Sequence, residues 1–143
     1  MFSQESVQLA LDVLQNDILF AIWETFYVTV IATFFALVIG LPLGVLLVVG
    51  EKDGILPLPR PVLYVLNTVI NLLRSVPFLI LMVMVMPLTK LIMQNVVGTA
   101  PTIIPLVVAS FPFVARLVEG SFREVDGNII ETAISMGASP FQI

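Results

Sequence analysis

From Thr25 to Gly50 the chain carries no charged side chain, in the run TFYVTVIATFFALVIGLPLGVLLVVG. At about 1.5 Å per residue a helix of that stretch reaches about 39 Å, more than the roughly 30 Å of hydrocarbon in a bilayer. Trp23 and Tyr27 stand at its entrance, where aromatic belts sit. A first membrane span over 25–50 is expected. The composition agrees: 59% of residues are hydrophobic and 11% charged, with a mean hydropathy of +1.10, against roughly 45–50% and about 25% in soluble domains.

Within the span, Gly40-Leu-Pro-Leu-Gly44 has GxxxG spacing. Glycines four apart strip side chains from one helix face and let a second helix approach. Local packing or a kink would use them equally well. Before the span, residues 1–24 hold Glu5, Asp12, Asp17 and Glu24 and no Lys or Arg. Val7, Ala10, Leu11, Leu14, Ile18, Ala21 and Ile22 recur at helical spacing, which predicts an interfacial amphipathic helix or, failing that, a loose tail. A signal peptide would need a basic start.

EKDGILPLPRP, residues 51–61, reads as a loop by its charges, Gly54 and prolines. A second span is expected over 62–89, a turn over 90–101, and a third span over 102–124 whose far end is charged. Lys52 and Arg60 flank the first loop, Arg116 and Arg123 the end of the third span, and Lys90 the turn between spans two and three. Lys and Arg favour the cytoplasmic side. That places residues 1–24 outside and 51–61 and 125–143 in the cytoplasm.

Chemistry is hard to find. The chain has no His and no Cys, so the commonest metal ligand, thiol chemistry and the side chain best suited to proton transfer near neutrality are missing. No G-x-x-x-x-G-K-[ST] loop is present to hold ATP phosphates. A net charge of −4 gives no basic footprint for nucleic acid. Arg74 is the single charge inside the second apolar run, and an ionisable residue there is either functional or snorkelling to the near interface. Pro77, three residues on, leaves a carbonyl unpaired, and the two together suggest a helix start or kink facing a cavity. Arg74, Ser75 and Pro77, with Ser110 in span three, are the substrate-pathway candidates.

The last stretch turns small and polar. Asn128 with Glu131 three residues later fits a capping box, Gly137 is a natural helix stop, and Ser139-Pro140 reads as a fresh helix start. Such punctuation suits a segment that docks on another protein.

Glu131-Thr-Ala133-Ile-Ser-Met-Gly137 resembles the EAA loop of ABC-importer permeases, E-A-A-x-x-x-G followed by I-x-L-P, with Thr132 at the middle alanine and the I-x-L-P part falling beyond Ile143. WETFYVTVIATFFALVIGLPLGVLL, NLLRSVPFLILMVMVMPLTKLI and PFVARLVEGSFREV are similar to the methionine-import permeases; importers of polar amino acids share an Arg-x-x-Pro stretch. The resemblance implies an all-α membrane protein of the type I importer permease fold, with about five spans when complete, three of them here as an N-terminal fragment. It implies a multi-pass permease of the bacterial cell membrane that forms a homodimer surrounded by lipid. Its partners would be an ABC ATPase subunit, which binds the ATP, and an extracytoplasmic solute-binding protein. The permease itself would be no enzyme and need no cofactor. Glu131, Ala133 and Gly137 would couple to the ATPase during alternating access, and Gly40 and Gly44 would serve helix packing. The alternatives are a permease for another amino acid, a small membrane scaffold that docks a cytoplasmic partner, or a channel, which the lack of a polar stripe disfavours.

Overall fold

The structure is a computed structural model that describes residues 4–52, 54–140, 142 and 143. The first three positions of the expected interfacial helix, the side chain of Ala10 on its apolar stripe, one position of the first loop and residue 141 lie outside the described residues. Five helices follow one another: α1 (Gln4–Val49), α2 (Arg60–Ser75), α3 (Phe78–Met93), α4 (Thr99–Arg123) and α5 (Gly127–Ser135). α1 and α4 are each long and apolar enough to cross a membrane, and α2 with α3 makes a third crossing if the bent pair counts as one span.

The expected division between an interfacial helix and a first span does not occur. α1 is continuous over 46 residues, about 69 Å at about 1.5 Å per residue. The reason is local. Polarity changes near residue 24, but no Gly or Pro interrupts the backbone there, and the Thr25 hydroxyl donates back to the Ala21 carbonyl at 2.8 Å. A helix of that length exceeds the hydrocarbon thickness more than twofold, so its first turns extend beyond the membrane core.

The expected second span is broken at the kink that Pro77 suggests. α2 and α3 meet at a bend of 118°. Pro77 disfavours helical geometry in the residue before it, and Val76 is extended at φ −82°, ψ 127°. Pro77 then caps the start of α3. α3 itself runs past Lys90 to Met93 and ends on Gln94 in the left-handed region at φ 57°, whose N–H donates to the Lys90 carbonyl at 2.9 Å.

α1 and α4 run side by side in the same direction. At one end Thr99 donates to Glu24 at 2.9 Å and lies 3.0 Å from the Tyr27 hydroxyl; at the other Arg123 reaches Glu51. α2 and α3 carry the chain back between those two ends, both packing on α4. Buried residues form two small clusters. Val28, Ala32 and Ile103 sit toward the Glu24 end, and Leu47, Ile70 and Ala115 toward the Glu51 end. Most other large apolar side chains face outward, such as Phe34, Leu79 and Val83. In water that surface would aggregate; in a bilayer it is solvated.

Candidate functional site

Four features of the bundle bear on function. The first is the α1–α4 contact. The buried positions of α1 include Val28, Ala32, Ala36, Gly40 and Gly44, each four residues from the last. A Cβ on Gly40 would lie 2.7 Å from the Phe111 carbonyl oxygen and from Val114 Cβ, and one on Gly44 2.7 Å from Val118 Cβ. The two backbones therefore touch, as small-residue ridges allow where lipid supplies no hydrophobic drive between helices. Ala32 and Ala36 extend the ridge two turns beyond the GxxxG that the sequence draws attention to, and their i, i+4 spacing was the available signal.

A second feature is a set of charged and amide groups at the Glu51 end of the bundle. Glu119, 6% exposed, accepts from Arg116 and, at 2.9 Å, from Arg123. Arg123 also pairs with Glu51 at 2.6 Å. Arg116 Nη2 donates to Asn67 Oδ1 at 2.7 Å and to Asn71 Oδ1 at 2.9 Å. The Asn67 amide nitrogen is occupied by the Leu63 carbonyl at 3.1 Å, which turns its oxygen to the guanidinium. Two cations and two anions balance here, so no net charge is held in low dielectric. In the sequence Arg116 and Arg123 stand out only as orientation markers. The i, i+3, i+7 series Arg116, Glu119, Arg123 and the i, i+4 pair Asn67, Asn71 could have suggested facing polar stripes.

The third is the bend. Arg74 is exposed in the last turn of α2, where the helix dipole favours a cation, and it lines a cavity of about 310 Å³ with Val76, Phe78, Leu81, Ala109 and Phe113. The bend thus lies halfway along α4. The other pathway candidates do not join Arg74 there. Ser75 donates back to the Asn71 carbonyl at 2.7 Å, Pro77 caps α3, and half-buried Ser110 is not among the cavity's lining residues.

The fourth is α5. Its N-cap is Asp126, whose carboxylate accepts from the Asn128 N–H at 3.0 Å, not the expected Asn128. The aspartate comes two residues earlier and Gly127 already has helical geometry, so Asn128 and Glu131 lie inside the helix. At the other end Gly137 has φ +85°. Its N–H donates to Ile134 at 2.9 Å, and the Ala138 N–H to Ala133 at 3.0 Å. These two bonds make a Schellman termination. Ala133 supplies the longer bond's acceptor while its own position lines a cleft of about 600 Å³ with Val48, Ile55, Phe122, Ile129 and Ile130. Glu131 and Gly137 are exposed, as are Ile134 and Met136. After Gly137 the Ser139 N–H donates to Gln142 Oε1 at 2.8 Å. That is one arm of a capping box, but the described residues there form a turn and not a helix.

Two long apolar helices, a bent pair that makes a further crossing and a short capped surface helix directly after the last span define the class: an integral membrane protein. Residues 40–143 match the family described as "Binding-protein-dependent transport system inner membrane component", and the chain belongs to that family. Among curated relatives, the probable D-methionine transport system permease protein MetI of Vibrio cholerae is 46% identical over 134 residues, covering 91% of this chain and 58% of the relative. The D-methionine transport system permease protein MetI of Escherichia coli K12 is 41% identical over 123 residues, covering 85% and 56%. The chain thus spans about half the length of the curated relatives it matches. A solved chain of the MetNI methionine ABC transporter, from a crystal form described as showing inward-facing conformations, superposes with a TM-score of 0.80 at 35% identity, covering 99% of this chain and 62% of that one.

Proposed function

We propose that this chain is the permease part of an ATP-driven importer of methionine, with Glu131, Ala133 and Gly137 on the segment that an ATPase subunit grips. The observation that carries the reading is α5 itself: a short helix capped at Asp126 and closed at Gly137, three residues beyond α4, in a chain whose curated relatives are named D-methionine permeases. Hydrolysis takes place on the ATPase subunit, and the permease contributes the moving helices.

In this reading the start of α1 and residues 94–98 lie outside, and the loop after α1 and everything from residue 124 lie in the cytoplasm. The clustering of Lys52, Arg60, Arg116 and Arg123 toward one end of the bundle supports that orientation. The path for substrate runs by the bend, where Arg74 offers a cation to a carboxylate at mid-depth. The exposed apolar faces of α1 and α3 are covered by lipid and by a second copy of the permease, and an extracytoplasmic binding protein delivers the ligand. ATP closes the ATPase pair, the coupling segments move together, and the helices rock to open the cavity on the other side.

Reconstitution tests this. The full-length permease, assembled with its ATPase and binding protein in proteoliposomes, should take up labelled methionine only when ATP is supplied. Uptake of a different amino acid with none of methionine would overturn the substrate, and uptake independent of ATP would overturn the mechanism.

A further inference from the structure

We infer that Arg116, held by Glu119 and forked onto Asn67 and Asn71, is a positioning residue that transmits movement of the coupling segment to the broken span. This rests on the transport reading above and adds to it the element through which force passes.

The joint has two sides of unequal character. Toward α1 and α4 it is ionic: Glu119 is held by Arg116 and Arg123, and Arg123 reaches Glu51. Glu119 is on α4 itself, with its side chain 8% exposed, so its pair with Arg116 is shielded from water and salt, while Arg123 and Glu51 are half exposed. Toward α2 it is a charge-to-amide clasp, with one guanidinium nitrogen shared between two asparagines a turn apart. Hydrogen bonds to a charged group are stronger than neutral ones, yet an amide can be released without stranding an unpaired charge in the membrane. The clasp is therefore the side that can open and re-form.

Position gives the clasp its role. Three residues link Arg123, the end of α4, to α5, so a pull on α5 reaches Arg123, Glu119 and Arg116 along one helix. α2 leads from Asn71 to the bend at Val76. Just beside the clasp, Ile70 packs with Leu47 and Ala115, which gives the two helices an apolar seat to move on. Arg116 Nε is buried with no partner among the described residues. A buried donor left unpaired asks for an explanation, and one that gains its acceptor only in a second arrangement supplies it.

The test uses the full-length permease with its ATPase and binding protein in proteoliposomes. Asn67→Leu with Asn71→Leu removes the clasp and keeps every charge. Arg116→Lys keeps the charge on Glu119 but lacks the planar fork. Both should hydrolyse ATP at near the wild-type rate while methionine moved per ATP falls tenfold or more. Thr68→Ala, which alters an exposed hydroxyl bonded only to its own helix at Tyr64, should change neither. Spin labels at Tyr64→Cys on α2 and Leu37→Cys on α1 give a second readout independent of substrate. Their separation should shift between the nucleotide-free complex and the complex with ATP and vanadate, and stop shifting in the clasp variants. Wild-type transport per ATP in both variants, or an unaltered label shift, overturns the inference. A wild-type complex that moves no methionine overturns the substrate reading alone, and the label shift then decides the clasp.

Discussion

Gly137 shows how a single backbone angle can shape the segment proposed to couple to an ATPase. Its φ of +85° lies in the left-handed region, and an added Cβ would meet nothing within 4 Å. Space is open, so the penalty for a side chain is conformational, about 1–2 kcal/mol for an ordinary L-residue and less for asparagine. Gly137→Ala should loosen the Ala133 and Ile134 closures and lower transport per ATP, Gly137→Asn should do so less, and Gly137→Arg most, because its bulk would also meet the proposed ATPase partner. Uptake and hydrolysis measured side by side check the order. An alanine variant that couples like glycine would show that the closure is not what the partner reads. Glu119 makes the complementary case in charge. Glu119→Ala leaves Arg116 and Arg123 without their shared anion, and breaking a buried pair costs about 3–5 kcal/mol. The lower end is expected because Arg123 is half exposed and keeps Glu51. Glu119→Gln, which still accepts a hydrogen bond, should lose less; melting of the purified complex in detergent separates the two.

Elements obey two different rules here, and only one of them is easily read from the chain. Where a residue type acts on its own backbone, the sequence is explicit. Pro77 stops α2 at Ser75, Gly137 ends α5, and an uncharged run makes α1 helical through the membrane. Where the outcome depends on which face meets which, it is not. The ridge from Val28 to Gly44 becomes a contact only once α4 lies parallel to α1, and the Arg116 clasp exists only because α2 returns beside α4. Polarity also misleads about continuity. The acids before residue 25 suggested a separate interfacial helix, yet helical backbone bonds are indifferent to whether a side chain faces lipid or water. Two predictions follow the same division. Gly44→Leu must push α1 from α4 against the Val118 contact, with overpacking expected to cost about 1–3 kcal/mol and to lower detergent stability; a variant as stable as wild type would deny that contact. Pro77→Ala restores the N–H and frees Val76 to turn helical. It should straighten the pair below its 118° bend and impair uptake; label distances between exposed Leu72 and Val83 would show the first.

At the scale of the whole molecule the decisive property is how charge is distributed along the bundle. Glu5, Asp12, Asp17 and Glu24 lie along the first half of α1, and no Lys or Arg precedes Lys52. Lys52, Arg60, Arg116 and Arg123 gather at the opposite end, where Arg123 meets Glu51 and Arg116 meets α2. Lys90 alone lies in the last turn of α3, toward the Thr99 end. A short basic loop is costly to move across a membrane, whereas acids contribute little to orientation, which is the ground for the proposed cytoplasmic placement of the basic end. α5 follows α4 out of that end, which in the proposed orientation brings it to the side where ATP is available. These 143 residues contain no cysteine, so single replacements can report on sidedness without background from this part of the protein. Val97→Cys, in the exposed connection between α3 and α4, should react with a membrane-impermeant maleimide in intact spheroplasts. Lys52→Cys and Met136→Cys, at the end of α1 and just past α5, should react only after the membrane is opened. Protection of Val97→Cys together with labelling of the other two would invert the orientation and overturn the proposed role of α5 in docking an ATPase. Replacing Lys52 and Arg60 by Gln while adding lysines before Glu5 should shift part of the population toward that inverted pattern, because the rule follows the count of basic residues in short flanks and not the net charge of −4.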